Sequence, residues 1–326
     1  MSKVLLEVQH LKKYFNTPKG ILHAVDDVSF SLEQGKTLGF VGESGCGKST
    51  LGRTVIHLLE STEGKIFFEG TDITNVSAKE LKALRRQMQM VFQDPFSSLN
   101  PRMTIEQIIA EPLLIYKVFP TRAETYAQVR KLMDTVGIAQ RLANSYPHEL
   151  DGGRRQRVGV ARALALEPKL VVCDEPVSAL DVSIQAQILN LMQDLQKEFN
   201  LTYIFITHDM SVVKHISDDI LVMYMGNVVE YAPGKELFRE QYHPYSRALL
   251  SAVPVPSIRR EVKRHLLTGE ISSPINPPLG CRFASRCQYC SEECTAQAIP
   301  VKEGSPGHFV ACPKSELLRQ TEWAHM

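Results

Sequence analysis

The stretch GESGCGKST, residues 42–50, carries the densest chemistry in the chain. Gly42, Gly45 and Gly47 free the backbone to curl its N–H groups around a phosphate chain, with Ser44, Cys46 and Thr50 completing the loop. A helix opening directly behind it adds a positive N-terminal field. Lys48 is placed to reach β- and γ-phosphates, and the Ser49 hydroxyl to ligate magnesium. The apolar run LGFVG (38–42) reads as the strand that such a loop follows. Without that strand the same glycines describe only a tight turn.

A second group follows downstream. LVVCDEP (170–176) ends a buried strand with Asp174, placed to hold magnesium, and Glu175, a carboxylate that could orient or deprotonate an attacking water. Taken alone, these are two acids at a strand end. ITHD (206–209) puts His208 at the end of another strand, within reach of a γ-phosphate, although a lone histidine there is also an ordinary structural residue. Gln93 in MVFQDP is uninformative by itself. The five cysteines beyond residue 280 form a third group: Cys281, Cys287, Cys290, Cys294 and Cys312. The start, MSKVLLEVQH, lacks the apolar region of a signal peptide, which disfavours disulfides and leaves a metal or cluster site as the better reading.

The elements that must position these groups are legible at coarse grain. LGFVG, LVVCD and YIFIT look like strands buried on both faces, and helical patterns separate them, which predicts a parallel sheet of the α/β kind. The N-terminal segments LLEVQHLKKYF and AVDDVSFSLEQGK alternate like an antiparallel layer. Thr121 with Glu124 is a capping box, and Tyr126, Val129, Met133 and Val136 recur behind it at helical spacing. A hairpin is expected to turn at Gly226-Asn227, and HPYSRALLSAV reads as a helix. From Pro254 the composition turns Pro- and Cys-rich, which sets a boundary there: 1–253 and 254–326. A net charge of +1 gives no electrostatic reason to expect nucleic acid. No apolar run approaches the roughly 18 residues that span a bilayer, so a membrane role would run through a separate membrane partner.

The order of the motifs is more specific than any one of them. Phosphate loop, glutamine, glycine-pair signature, Asp-Glu, SALD and THD resemble the ATP-binding cassette family of transport ATPases over residues 1 to about 250. The resemblance implies a P-loop, RecA-like core with an antiparallel β subdomain and a helical subdomain at about 95–165. It implies ATP and Mg2+ as ligands, with Ser49, Gln93 and Asp174 at the metal. Phe15, or less favourably Tyr14, would stack on adenine, Gln93 would link the metal site to membrane subunits, and Asp181 would lie in a dimer-contacting loop. Two cassettes of this family pair head to tail, each ATP lying between one phosphate loop and the other chain's signature.

DPFSSLNPRMTI, HPYSRALLSAVP and GCRFASRC look more narrowly like ATPase subunits of bacterial dipeptide, oligopeptide and nickel importers. That implies a second, non-identical ATPase, two integral-membrane permease subunits, an extracytoplasmic substrate-binding protein and a peripheral place on the cytoplasmic membrane face. Segment 94–109 would receive a permease helix, although an ordinary surface loop is the plainer reading. Cys281, Cys287, Cys294 and Cys312 match the importer tail, which implies a 4Fe–4S cluster, and Cys290 is extra. Four thiolates also suit zinc, but the spacing is not the tight pair-and-pair of zinc ribbons. A soluble cassette ATPase, expected to carry tandem cassettes or long insertions, and a redox or metal-sensing module are the rival readings.

One departure stands out. The family signature Leu-Ser-Gly-Gly-Gln reads Leu150-Asp151-Gly152-Gly153-Arg154. The family serine donates to the partner-bound γ-phosphate. Asp151 is expected instead to cap the helix behind it, taking N–H groups that would otherwise serve the phosphate. Two unit charges about 4 Å apart at an effective dielectric near 20 repel by roughly 4 kcal/mol. Arg154 offsets part of that, and an Asp151 rotated away costs little.

Overall fold

The computed structural model describes residues 3–253, 269 and 273–320, and the expected boundary at Pro254 lies outside them. The chain forms two compact units, residues 1–75 with 205–326, and residues 76–204.

The first unit begins with a long antiparallel hairpin, Val4–Thr17 with Gly20–Glu33, joined by a tight turn. Glu63–Phe68 pairs antiparallel on the other side of Val4–Thr17, in the register Leu6 to Phe68, and Thr71–Asp72 closes that sheet. The alternation in the sequence reflects this layer, whose inner face buries Leu6, Val8, Val28, Phe30 and Ile66. Thr37–Val41 runs parallel to Asp219–Tyr224, Phe40 facing Leu221, and every residue of Thr37–Val41 is buried. Such a strand reads as one apolar run because neither face meets water.

Asp219–Tyr224 turns into Asn227–Pro233 through Met225 and Gly226, at φ 45° and 84°. The turn therefore sits one residue earlier than expected. Two-residue hairpins favour positive φ at both central positions, which Met225 accepts here and Gly226 adopts freely, so Asn227 starts the strand. On the far edge His308–Val310 pairs with Asn227–Pro233, and Lys302–Ser305 with His308–Val310. The cysteine-rich stretch is thus built onto this unit's sheet. Phe283, 2 % exposed, packs in one cluster with Tyr224 and Tyr245.

The second unit is mainly helical around the parallel pair Met88–Val91 and Leu170–Asp174. Its helices include Ile105–Ile115, Arg122–Thr135, Gly152–Leu164 and Val182–Phe199. The capping box at Thr121 is formed in both directions, at 3.2 and 3.1 Å. Behind it Val129, Met133 and Val136 are fully buried, whereas Thr125 takes the buried place and Tyr126 only half of one. The chain returns to the first unit within the wholly buried strand Thr202–Ile206.

Candidate functional site

In the first unit, Thr37–Val41 delivers the chain to the phosphate loop. Gly42 (φ 148°) and Gly47 (φ 105°) are required by close backbone approach: a Cβ would stand 2.2 Å from the Met223 carbonyl at one and 2.1 Å from the Ala24 carbonyl at the other. Gly45 (φ 78°) differs, since a Cβ there would meet nothing within 4 Å. It faces open space at the crown of the loop, beside the exposed Ser44.

Helix Lys48–Val55 starts from Gly47, with no side-chain cap and no acid in its first turn. With neither a capping side chain nor an acid there, its N-terminal dipole suits an anion. Lys48, 4 % exposed, donates from Nζ to the carbonyls of Gly42 at 2.8 Å and Glu43 at 2.9 Å. Burial raises the pKa of the Cys46 thiol and so keeps it protonated. Ser49 and Thr50 follow, half-buried. His208 belongs to the same unit and is exposed just beyond Thr202–Ile206.

Of the two rings weighed for adenine, Tyr14 is engaged elsewhere. It packs against His23 at a 30° tilt with centroids 4.1 Å apart and donates its hydroxyl to Asp26. Phe15 is half-buried, with Lys13 Nζ 4.8 Å from its centroid.

In the second unit Asp174 ends its strand fully buried, and Glu175 follows at φ 46°. A left-handed backbone at a non-glycine residue is held at a cost on the order of 1–3 kcal/mol, and it turns the Glu175 side chain out of the strand's alternation. Gln93 Nε2 donates to Glu175 Oε2 at 2.9 Å. Two residues 82 apart in sequence are thereby brought together, and the bond fixes the orientation of the carboxylate. Beside Gln93 two aromatic rings reach the surface: Phe92 under Arg162, and Phe96, 58 % exposed, under Arg155. Neither ring is singled out by its local sequence pattern. Their only signal is an apolar side chain on either side of a polar Gln-Asp pair.

The signature forms the start of Gly152–Leu164. Asp151 is its N-cap: Oδ1 accepts from the Arg154 N–H at 2.8 Å, and Oδ2 lies 3.4 Å from Arg154 Nη1. A Cβ on Gly153 would stand 2.7 Å from Ile184 Cγ2, and one on Gly152 would stand 3.0 Å from Leu180 Cδ2. The glycine pair thus lets the helix start against the Leu180-to-Ile184 segment. Asp181 occupies the N-cap position of Val182–Phe199 there without a side-chain capping bond, and the apolar Val182 behind it is 81 % exposed, which its local pattern does not show.

Cys281, Cys287, Cys294 and Cys312 share one neighbourhood of the first unit. Burial, and then the neighbouring thiols, push Cys281 up to about 11 and Cys312 up to about 12. The Cys281 N–H donates to the Cys294 carbonyl at 2.7 Å, whereas Cys290 is exposed. Among the described residues no three His, Cys, Asp or Glu side chains stand close enough to hold one ion. The donor chemistry fits a thiolate-bound metal; a finished ligand shell is not assembled.

The chain matches the ABC transporter family profile over residues 25–178 and the oligopeptide/dipeptide transporter C-terminal region over 229–294. It is 53 % identical over 320 residues to the oligopeptide transport ATP-binding protein AppF of Bacillus subtilis, covering 95 % of this chain and 97 % of that one. To OppF of Salmonella typhimurium, also an oligopeptide transport ATP-binding protein, it is 52 % identical, covering 97 % and 98 %. Among solved structures, CbiO1 from Clostridium perfringens, part of the ABC transporter complex CbiONQ, superposes with a TM-score of 0.65 at 30 % identity, covering 73 % of this chain and 92 % of that one. The ATP-binding cassette MJ0796, solved as a dimer bound to ADP and Pi, gives 0.65 at 27 %, covering 70 % and 98 %. With relatives more than half identical along nearly its whole length, and with its phosphate loop and Asp-Glu strand end in place, this chain belongs to the ABC transporter family as an ATPase.

Proposed function

We propose that this chain is the ATP-hydrolysing subunit of an importer that takes up oligopeptides, working peripherally on the cytoplasmic face of the cell membrane. The observation that carries the cargo class is identity above one half, over nearly the full length, to two oligopeptide transport ATP-binding proteins. Two integral-membrane permeases, a substrate-binding protein outside the membrane and a second, non-identical ATPase complete the assembly. The exposed Phe92 and Phe96 beside Gln93 support segment 94–109 as the permease contact. Residues 1–253 serve as the cassette, 95–165 as its helical part and 254–326 as the importer-specific tail.

In this reading the phosphate loop, with Lys48, holds the ATP phosphates, and Phe15 receives the adenine. Ser49, Gln93 and Asp174 are the residues for Mg2+, which when bound neutralises phosphate charge. Glu175, held by Gln93, takes the proton of the water that attacks the γ-phosphorus. The bond to the β–γ bridging oxygen breaks and ADP leaves. His208 steadies the γ-phosphate. A partner's ATP would meet Asp151, Gly152 and Gly153, and the carboxylate held on its own helix end makes that site the weaker of two, which requires a non-identical partner. Cys281, Cys287, Cys294 and Cys312 are the residues for a 4Fe–4S cluster, with zinc the alternative; thiolate donors suit either.

The assembled transporter in vesicles tests this. Oligopeptide-loaded binding protein should stimulate ATP hydrolysis and drive peptide entry. Stimulation by nickel or another small solute, with none by peptides, would overturn the cargo. Protein purified without air should contain iron and sulfide; stoichiometric zinc without iron removes the cluster.

A further inference from the structure

The phosphate loop carries an acid, Glu43, at the position after its first glycine. A carboxylate there is a puzzle in a loop built to receive a polyanion, and the first unit supplies an answer from its C-terminal stretch. Arg286 grips Glu43 with both guanidinium arms, Nη1 to Oε2 at 2.8 Å and Nη2 to Oε1 at 3.1 Å. The arginine is 7 % exposed and the glutamate 24 %, so solvent screens the pair little. Nη1 also reaches the Tyr224 hydroxyl at 3.4 Å, and the Glu43 N–H donates to the Tyr245 hydroxyl at 2.7 Å. Phe283 lies edge-on to Tyr224, so the segment bearing the arginine is anchored in the same aromatic cluster. A second arginine, Arg282, donates to the Met225 carbonyl and to Asp26, and the adjoining Gly226 N–H donates to the Cys46 carbonyl at 2.8 Å.

We infer that Arg286 is a positioning residue for nucleotide: it neutralises the Glu43 carboxylate and holds it back from the phosphate chain. The inference rests on the reading that residues 42–50 bind ATP. Its physical content is specific. Without the guanidinium, Glu43 becomes an uncompensated charge in the loop and repels the ligand, and removing that charge as well relieves the repulsion.

The test titrates the full chain with MgATP and separately with magnesium tripolyphosphate, which lacks the adenosine. Arg286→Met should weaken both about tenfold. Adding Glu43→Gln to Arg286→Met should recover most of the loss. Arg286→Lys, which keeps the charge but not the two-armed grip, should lose about threefold, again recovered by Glu43→Gln. That variant carries the test if the methionine form does not fold. Affinities within twofold of the parent in both single arginine variants overturn the inference. So does a loss that Glu43→Gln fails to recover, which would make Arg286 a packing residue of the tail. A parent chain that binds neither ligand overturns the ATP reading itself and is distinguishable from both.

Discussion

The phosphate loop and the signature are the same local device used in opposite senses. Each places glycines at or beside the N-terminus of a helix. At Gly47 the cap has no side chain and the first turn has no acid, so the dipole there favours an anion. At Asp151 the cap is a carboxylate bonded to the N–H of Arg154, so part of the helix end is already taken by an anion of the chain's own. The cations differ likewise. Lys48 is folded onto loop carbonyls, which a phosphate could replace, whereas Arg154 stands beside Asp151. Glycines at a helix start are therefore not in themselves a phosphate site; the residue at the cap decides whether the dipole is available.

The largest effect tests whether the open loop belongs to a working site. In the assembled transporter Glu175→Gln should keep ATP binding and slow hydrolysis by on the order of 100-fold or more, since it removes the acid–base group. Near-normal turnover would take Glu175 out of that role. Next, Gly47→Ala should cost at least about tenfold in MgATP affinity and on the order of 1–3 kcal/mol of stability, because its Cβ strikes the Ala24 carbonyl at a positive φ. Gly45→Ala has open space and should lose less; equal losses would show that both positions fail by backbone strain alone.

Asp151→Ser should raise ATPase activity with the natural partner several-fold, with Asp151→Asn between the two. Asp151 is about half exposed, so solvent screening pulls the effect well below the unscreened repulsion. No change in either variant would make the carboxylate a tolerated cap and dissolve the contrast. The smallest effect concerns the cap by itself. Asp151→Ala should lower the isolated chain's unfolding stability by about 1 kcal/mol, while Asp151→Ser, still a cap, should not. Chemical denaturation measures the difference.

Much of this molecule is written in local pattern. The phosphate loop, the Asp174-Glu175 strand end and the capping box at Thr121 depend on residues within a few positions of one another, and strands buried on both faces announce themselves as apolar runs. Asp151 as a cap was legible for the same reason, since a cap bonds only three residues ahead. What the tertiary structure alone decided involves long separations or solvent. Gln93 meets Glu175 across 82 positions, and no periodicity encodes that. The exposure of Phe92, Phe96 and Val182 depends on which neighbours fail to cover them. The two-armed bond from Arg286 to Glu43 spans 243 positions. Sequence fixes which groups can donate, accept or carry charge; only the folded chain sets which of them stand within 3 Å, because a hydrogen bond or ion pair falls away steeply with distance and angle.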